Sequence, residues 1–136
     1  MSESILSGSC LCGGVTYTVT GEERHFYHCH CQRCRKASGT GHASNLFVRG
    51  PVRFDTGEEL VRTFRLPDAK RFSNTFCTRC GGRVPRFVEE FGVSFIPAGS
   101  LDDDPVIKPE ARVFIGSRAD WSCEGGDLPC FNDYPG

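Results

Sequence analysis

Short runs in which apolar and polar residues alternate predominate along this chain, a pattern typical of β-strands. Val15, Tyr17 and Val19 alternate with threonines, which places the three apolar side chains on one face of an extended segment. Further runs of strand-forming residues occupy 25–29, 43–48, 52–55, 60–65, 71–77, 83–88, 93–97 and 113–115. Turn-forming pairs such as Gly-Gly and Gly-Pro separate many of these runs. The pattern predicts an all-β fold with many short strands.

Very little of the sequence fits a helix. The stretch from Gln32 to Ser38 is long enough for about two helical turns, and it overlaps a group of cysteines. The sequence contains no linker, repeat or low-complexity segment, so we expect a single domain over residues 1–136. The Gly- and Pro-rich tail after Trp121 is predicted to be irregular, with Trp121 and Phe131 packing it onto the domain.

Phenylalanine is the most frequent aromatic residue, and its side chains are the natural material for a hydrophobic core. We expect most of these rings to be buried in the core and one or two to line a pocket. The positions concerned are Phe47, Phe54, Phe64, Phe72, Phe76, Phe87, Phe91 and Phe95.

Charge and the N-terminal sequence narrow the class of protein. Sixteen Lys and Arg residues against 17 Asp and Glu residues give a net charge of −1, which disfavours nucleic acid or an acidic membrane as a partner. The sequence shows neither a basic leader nor an apolar run of membrane-spanning length. We therefore expect a soluble cytoplasmic protein whose thiols stay reduced.

Nine cysteines are many for a chain of 136 residues, and seven of them fall into three tight groups. The groups are the pair Cys10 and Cys12, the triplet Cys29, Cys31 and Cys34, and the pair Cys77 and Cys80. Residues i and i+2 of an extended segment point to the same side, and a C-x-x-C turn likewise brings two thiolates together. Because the count is odd and the thiols are expected to be reduced, the spacing favours metal binding over disulfides.

The coordination preferences of zinc suggest how the seven clustered cysteines divide between metal sites. A structural zinc takes four protein ligands, whereas a catalytic zinc keeps three protein ligands and one open position. We therefore predict that the two pairs hold one structural zinc and that the triplet holds a second, open one. Spacing alone leaves two alternatives, in which Cys29 and Cys31 join Cys77 and Cys80, or all seven form a shared binuclear cluster.

The segments that contain these cysteines resemble a known family. They are residues 8–17, 28–39 and 76–81, followed by 113–121 and 128–131 near the C-terminus. Together they are similar to the glutathione-dependent formaldehyde-activating enzymes, a group that also includes the centromere protein V proteins. The resemblance runs from about Gly8 to the C-terminus. One departure is Arg112, because short members of the family often carry histidine at that position.

The resemblance implies a fold, two metal sites and an activity. The fold is an all-β tent of small antiparallel sheets held by zinc, with little helix. The structural zinc ligands would be Cys10, Cys12, Cys77 and Cys80, and the ligands of the catalytic-type zinc would be Cys29, Cys31 and Cys34. The activity would be that of a carbon–sulfur lyase that adds glutathione to formaldehyde to give S-hydroxymethylglutathione, or that joins another small thiol and aldehyde.

Four residues are candidates for substrate binding. Arg35, Lys36 and Ser38 follow the third cysteine of the triplet and could hold a carboxylate of an anionic thiol such as glutathione. Trp121, in the matching C-terminal segment, is the fourth candidate.

A second function class stays open, that of a noncatalytic zinc module for a protein partner. The net charge of −1 and the lack of a basic run in this chain make nucleic acid an unpromising partner for such a module. In either class, His28 and His30 are expected to surround the metal site without ligating, since the thiols suffice. Cys123 and Cys130 lie outside any ligand spacing.

Overall fold

Nine strands and one short α-helix form the regular structure in the computed structural model, which describes residues 3–122, 126 and 128–136. The strands are β1 (Ser4–Ser9), β2 (Thr16–Cys29), β3 (Ala43–Arg49), β4 (Val52–Thr56), β5 (Val61–Arg65), β6 (Ser73–Cys77), β7 (Arg86–Val88), β8 (Val93–Pro97) and β9 (Ala111–Val113). The helix α1 covers Gln32–Ser38. The predicted all-β fold with little helix is confirmed. No helix among these residues has the length and apolarity needed to cross a membrane.

The 14-residue strand β2 organises the larger of the two sheets. Its first half pairs antiparallel with β1 and β4, and its second half pairs antiparallel with β3 and parallel with β9. Strand β3 continues the sheet through β8 to β7. Strands β5 and β6 form a separate antiparallel sheet. Because β2 changes partners along its length, the larger sheet curls around it.

The main hydrophobic core lies under the larger sheet and is built from alternate residues of its strands. Its buried members are Leu6, Tyr17, Val19, Phe26, Leu46, Val48 and Ile96. Two smaller clusters each contain cysteines, one around Cys10, Val15 and Cys77 and the other around Cys29, Cys34 and Ala43. Val15, Tyr17 and Val19, which the alternation places on one face, all point inward, because each is at most 1% exposed.

Helix α1 has the predicted bounds because both of its ends are capped. The Cys31 Sγ accepts a hydrogen bond from the Cys34 backbone N–H at 3.3 Å, as an N-cap side chain does. At the other end, Gly39 adopts a left-handed conformation with φ of 73°. Seven residues are too few for a stable isolated helix, so these caps and the surrounding structure maintain it.

Two expectations about aromatic residues are wrong. None of the eight phenylalanines assigned mostly to the core is fully buried, and the buried phenylalanine of the core is Phe26 instead. Trp121 and Phe131 do not pack the tail down, because they are 68% and 58% exposed. The core has room for few rings because its strands supply mainly aliphatic side chains. Phe54 packs against its edge, and Phe47, Phe72 and Phe95 line a cavity.

Candidate metal centres and the adjoining cavity

One cysteine cluster connects the two sheets. Cys10 and Cys12 lie in the turn between β1 and β2, Cys77 ends β6, and Cys80 lies in the turn that follows. The four sulfur atoms all lie within 4.8 Å of one another. Four sulfurs at this separation form a donor set suited to a tetrahedral zinc.

Backbone N–H groups point at the sulfur atoms of this cluster. The Val15 N–H donates to Cys10 Sγ at 3.2 Å, and the Gly82 N–H donates to Cys80 Sγ at 3.4 Å. The chain can turn back toward each sulfur because Gly13 has a φ of 78° and Gly81 one of 77°. Such donors stabilise thiolates, which is the protonation state that binds a metal.

Cys12 is the most exposed cysteine of the cluster and has an additional cationic neighbour. The Gly14 backbone N–H and the Arg79 side chain, whose Nε donates to Cys12 Sγ at 3.4 Å, lower the pKa of the Cys12 thiol to about 6. In addition, the Arg79 backbone N–H donates to Cys77 Sγ at 3.4 Å. A cluster of four thiolates would carry excess negative charge, and Arg79 offsets part of it.

A second cysteine cluster lies where β2 gives way to α1. Cys29 is the last residue of β2, Cys31 is the N-cap of α1, and Cys34 lies on its first turn. The three sulfur atoms also lie within 4.8 Å of one another. The Asn45 side-chain amide on β3 approaches the Cys34 Sγ at 4.0 Å.

The three thiols of this cluster do not behave alike. The neighbouring Cys34 thiol lowers the pKa of Cys29 to about 6, and the same interaction raises the pKa of Cys34. Burial raises the pKa of Cys34 further. Three sulfurs at this separation form a donor set that fits zinc here as well.

The structure groups the seven sulfurs as four and three. Of the alternatives left open by the spacing, neither the exchange of Cys29 and Cys31 into the other site nor a shared cluster is seen among the described residues. The three-cysteine cluster leaves a tetrahedral metal one ligand short.

A cavity of about 730 Å³ borders all three cysteines of the second cluster. Five basic side chains line it, from Arg33, Lys70, Arg71, Arg83 and Arg86, together with a single carboxylate from Asp68. Four phenyl rings, from Phe47, Phe72, Phe95 and Phe114, also line it. The three-cysteine cluster therefore faces a space large enough for a small organic molecule.

The sequence matches the family model described as glutathione-dependent formaldehyde-activating enzyme over residues 5–117. This chain belongs to that family. Its fold is also similar to a crystal structure of a Rhodobacter sphaeroides protein, with a TM-score of 0.54 and 19% sequence identity. That similarity covers 78% of this chain and 97% of the other. No curated protein matches the chain.

The predicted substrate residues of this family member lie elsewhere. Arg35, Lys36 and Trp121 line a separate cavity of about 280 Å³, and Gln32 borders both cavities. The Ser38 hydroxyl donates to the Cys34 carbonyl at 2.7 Å, within the helix. The structure therefore does not bring these four candidates to the cavity that borders the three cysteines.

The basic residues that do line that cavity were missed in the sequence. Arg86 is the first residue of β7, and Arg83 lies three residues before it. Lys70 and Arg71 lie in the loop before β6. They come together because of how the strands pair, and no local motif marks them. Of the five basic residues that line the cavity, only Arg33 lies beside a cysteine of the triplet in the sequence, so only its position could have indicated a place near the cluster.

Three histidines of this family member surround the second cluster without joining it. His30 is fully buried, and its Nε2 accepts a hydrogen bond from Arg112 Nε at 3.3 Å. The rings of His28 and His42 stack with their centroids 4.0 Å apart. Burial and the positive charge of Arg112 lower the pKa of His30, so the imidazole is held neutral. Within the described residues, none of the three belongs to a group of metal-ligating atoms.

Proposed function

We propose that this protein is a zinc-dependent carbon–sulfur lyase that forms and cleaves adducts between a small anionic thiol, such as glutathione, and an aldehyde. The observation that carries the proposal is the three-cysteine cluster, which is one ligand short of a tetrahedral site and borders a cavity lined by basic side chains. Membership of the family named for this reaction supports the choice of substrates.

The two clusters have different roles in this proposal. Cys10, Cys12, Cys77 and Cys80 would hold a structural zinc, and Cys29, Cys31 and Cys34 would hold the second zinc. Zinc at the second cluster would supply one kind of chemistry, the stabilisation of a substrate thiol as its thiolate at neutral pH. Three thiolate ligands suit a thiol as the fourth ligand better than a water molecule.

The basic side chains around the cavity would orient the substrate. Arg83 Nε donates to the Asn74 side chain at 2.7 Å, and an Arg86 guanidinium nitrogen donates to the Arg71 carbonyl at 3.2 Å. Both side chains are half-buried, which lowers the pKa of each guanidinium and strengthens its interaction with an anion. Fixed guanidinium groups can bind the carboxylates of the thiol and so place its sulfur beside the cysteines.

The bonds balance without an oxidant or reductant. In the forward direction the sulfur lone pair attacks the aldehyde carbon, a C–S bond forms, and the carbonyl π bond breaks. The proton lost from the thiol ends on the former carbonyl oxygen, which gives a hydroxyl group. The reverse reaction returns that proton to the sulfur as the C–S bond breaks.

Exchange NMR of glutathione and formaldehyde, with and without the zinc-loaded protein, tests the proposal. We expect the protein to accelerate interconversion of the thiol and its hydroxymethyl adduct. Cys31→Ser should abolish the acceleration while retaining the fold and one zinc, because the four-cysteine cluster stays intact. Cys130→Ser is the matched control, because this exposed thiol lies outside both clusters.

Two results would contradict the proposal. One is an unchanged exchange rate with a protein that carries two zinc ions, which would favour the noncatalytic module. The other is equal loss of stability in Cys31→Ser and Cys77→Ser, which would indicate that both sites are structural.

A further inference from the structure

The cavity beside the three cysteines presents more apolar surface than a one-carbon aldehyde can contact. Resting on the proposed function, we propose that this cavity accommodates an aromatic or bulky apolar group on the carbon bonded to the substrate sulfur. The second substrate class would thus be aryl or branched aldehydes, with formaldehyde as a poor member of it.

The aromatic lining begins at the cysteines themselves. Phe72 packs directly against the buried cluster of Cys29, Cys34 and Ala43, and its ring also lines the cavity. A group attached to the carbon next to a sulfur bound at this cluster would therefore meet a phenyl ring within the first few atoms. A carbonyl carbon bearing only hydrogens would leave this surface in contact with water.

The lining continues along strand β3. Asn45 and Phe47 are two residues apart and so face the same side of the strand, about 7 Å apart along it. The Asn45 amide approaches Cys34 Sγ, which places Phe47 one step further from the cysteines. Phe47 pairs with Phe95 of β8, and the two rings meet edge to face with centroids 4.7 Å apart. This arrangement is a preferred one for aromatic pairs and leaves ring surface facing the cavity.

A cation covers part of this aromatic surface. The Arg86 guanidinium lies 4.7 Å from the centroid of the Phe95 ring, and β7 and β8 pair these two residues. Apolar and cationic groups are thus side by side in the cavity. Such a lining suits a ligand that carries both carboxylates and an apolar substituent, which describes the thiol adduct of an apolar aldehyde.

Phe114 supplies an independent observation. Among the described residues it is the sole non-glycine residue with a positive φ, at 56°. Phe114 is 66% exposed and lines the cavity. The preceding Val113 packs against the cysteine cluster, and its carbonyl accepts a 3.0 Å hydrogen bond from the His30 N–H. A disfavoured backbone conformation that keeps a phenyl ring at a cavity while the ring gains little burial is typical of ligand sites.

Two stable thioethers test the inference without requiring turnover. S-methylglutathione and S-benzylglutathione share the same carboxylates and differ in the phenyl ring, and their Kd values for the zinc-loaded protein can be measured by isothermal titration calorimetry. We expect S-benzylglutathione to bind roughly 10- to 100-fold more tightly, which is the range for burial of one phenyl ring.

Variants locate the source of this preference. Phe114→Gly should reduce the ratio of the two Kd values at least about threefold without lowering Tm, because glycine accepts the positive φ. Phe72→Leu should reduce the ratio as well. Phe64→Ala is the matched control, because this exposed ring on β5 lies outside the cavity, and it should leave the ratio unchanged.

The outcomes separate this inference from the proposed function. Equal Kd values for the two thioethers would overturn the inference, while acceleration of formaldehyde adduct exchange would still support the lyase. A benzyl preference that survives in full in Phe114→Gly and Phe72→Leu would also overturn it, because the ring would then bind elsewhere. Failure of both thioethers to bind, with no acceleration of exchange, would overturn the proposed function itself.

Discussion

At Phe114 the backbone is in the left-handed region, where a residue with a Cβ is disfavoured by about 1–2 kcal/mol. Phe114→Gly and Phe114→Ala both remove the exposed ring, and they differ only in that Cβ. We expect the Gly variant to be the more stable by about 0.5–1 kcal/mol, after allowance for the greater freedom of glycine in the unfolded chain. Urea unfolding of the two variants measures this difference. A more stable Ala variant would show that the backbone relaxes once the ring is gone.

Glu23 is a second residue with a structural task of its own. Its carboxylate accepts hydrogen bonds from the Ser4 hydroxyl at 2.6 Å and from the backbone N–H groups of Val106 and Ile107 at 3.0 and 2.9 Å. Burial acts to raise the pKa of Glu23, but these three hydrogen bonds outweigh it and lower the pKa. The carboxylate thus fastens β1 and the 106–107 segment to β2.

The sign of the pH dependence follows from this lowered pKa. The stabilisation by Glu23 is complete above the pKa of a glutamate in the unfolded chain, about 4.3, and is lost as the pH falls through the lower folded-state pKa. Glu23→Gln should therefore reduce the free energy of unfolding by about 1–2 kcal/mol at pH 7 and by much less in strong acid. Urea unfolding of the variant and the parent protein from pH 7 down to pH 2 checks this difference. Glu3→Gln, at an exposed position, is the control. A difference that stays constant down to pH 2 would contradict this account.

The sequence predicted those residues whose task depends on near neighbours in the chain. A spacing of two residues places the thiols of Cys10 and Cys12 on the same side, and a spacing of three does the same for Cys77 and Cys80. The glycines beside each pair predict the turns. The alignment of Arg86 with Phe95 depends instead on the pairing of β7 with β8, and no spacing encodes it. The left-handed conformation of Phe114 was equally hidden, because it is imposed by the neighbours of Val113 and has no sequence signal.

Among the elements, β2 differs most from expectation. The sequence pattern predicts an extended segment around 15–19 and a separate run over 25–29. The structure has one continuous strand, and the partners change from β1 and β4 to β3 and β9 along its length. Gly21 is buried at that change, where the chains approach closely. Long-range pairing thus joins two runs that the local pattern separates.

This close approach makes Gly21 a sensitive position. A Cβ on Gly21 would overlap the carbonyl group of Arg49 on the neighbouring strand β3. We expect Gly21→Ala to lower the free energy of unfolding by about 2–3 kcal/mol, since the backbone of one strand must move. Gly99→Ala is the control, because a Cβ there meets no atom within 4 Å and Gly99 is exposed in the short 3-10 helix Ala98–Ser100. Equal urea midpoints for both variants would contradict the close approach.

In the whole molecule, the four-cysteine cluster links the larger sheet to the separate sheet of β5 and β6. Strands β5 and β6 form a sheet of their own, and Cys77 at the end of β6 meets Cys10 and Cys12 beside the larger sheet. Removal by a chelator of the zinc proposed for this cluster should therefore destabilise the protein strongly, by an amount on the order of 10 kcal/mol as judged from zinc-finger peptides. Amide hydrogen exchange should show β5 and β6 losing protection before β2 and β3.

Cys77→Ser should reproduce most of the chelator effect, and Cys130→Ser should not. Metal content and Tm, measured on the same samples, check this prediction. A metal-free protein that keeps the Tm and the exchange protection of the loaded one would contradict the role of the cluster as a link between the sheets.

The two clusters lie near opposite ends of β2, and this has a consequence for synthesis on the ribosome. Every cysteine of the three-cysteine cluster lies between residues 29 and 34, so that set leaves the exit tunnel before Cys77 and Cys80 have emerged from it. Until Cys77 and Cys80 emerge, Cys10 and Cys12 are only half of the four-cysteine cluster, whereas the three-cysteine cluster is complete. During that interval the nascent chain offers five thiols to any passing zinc. In the proposed two-zinc protein, the triplet would have to retain its own ion until Cys77 and Cys80 emerge.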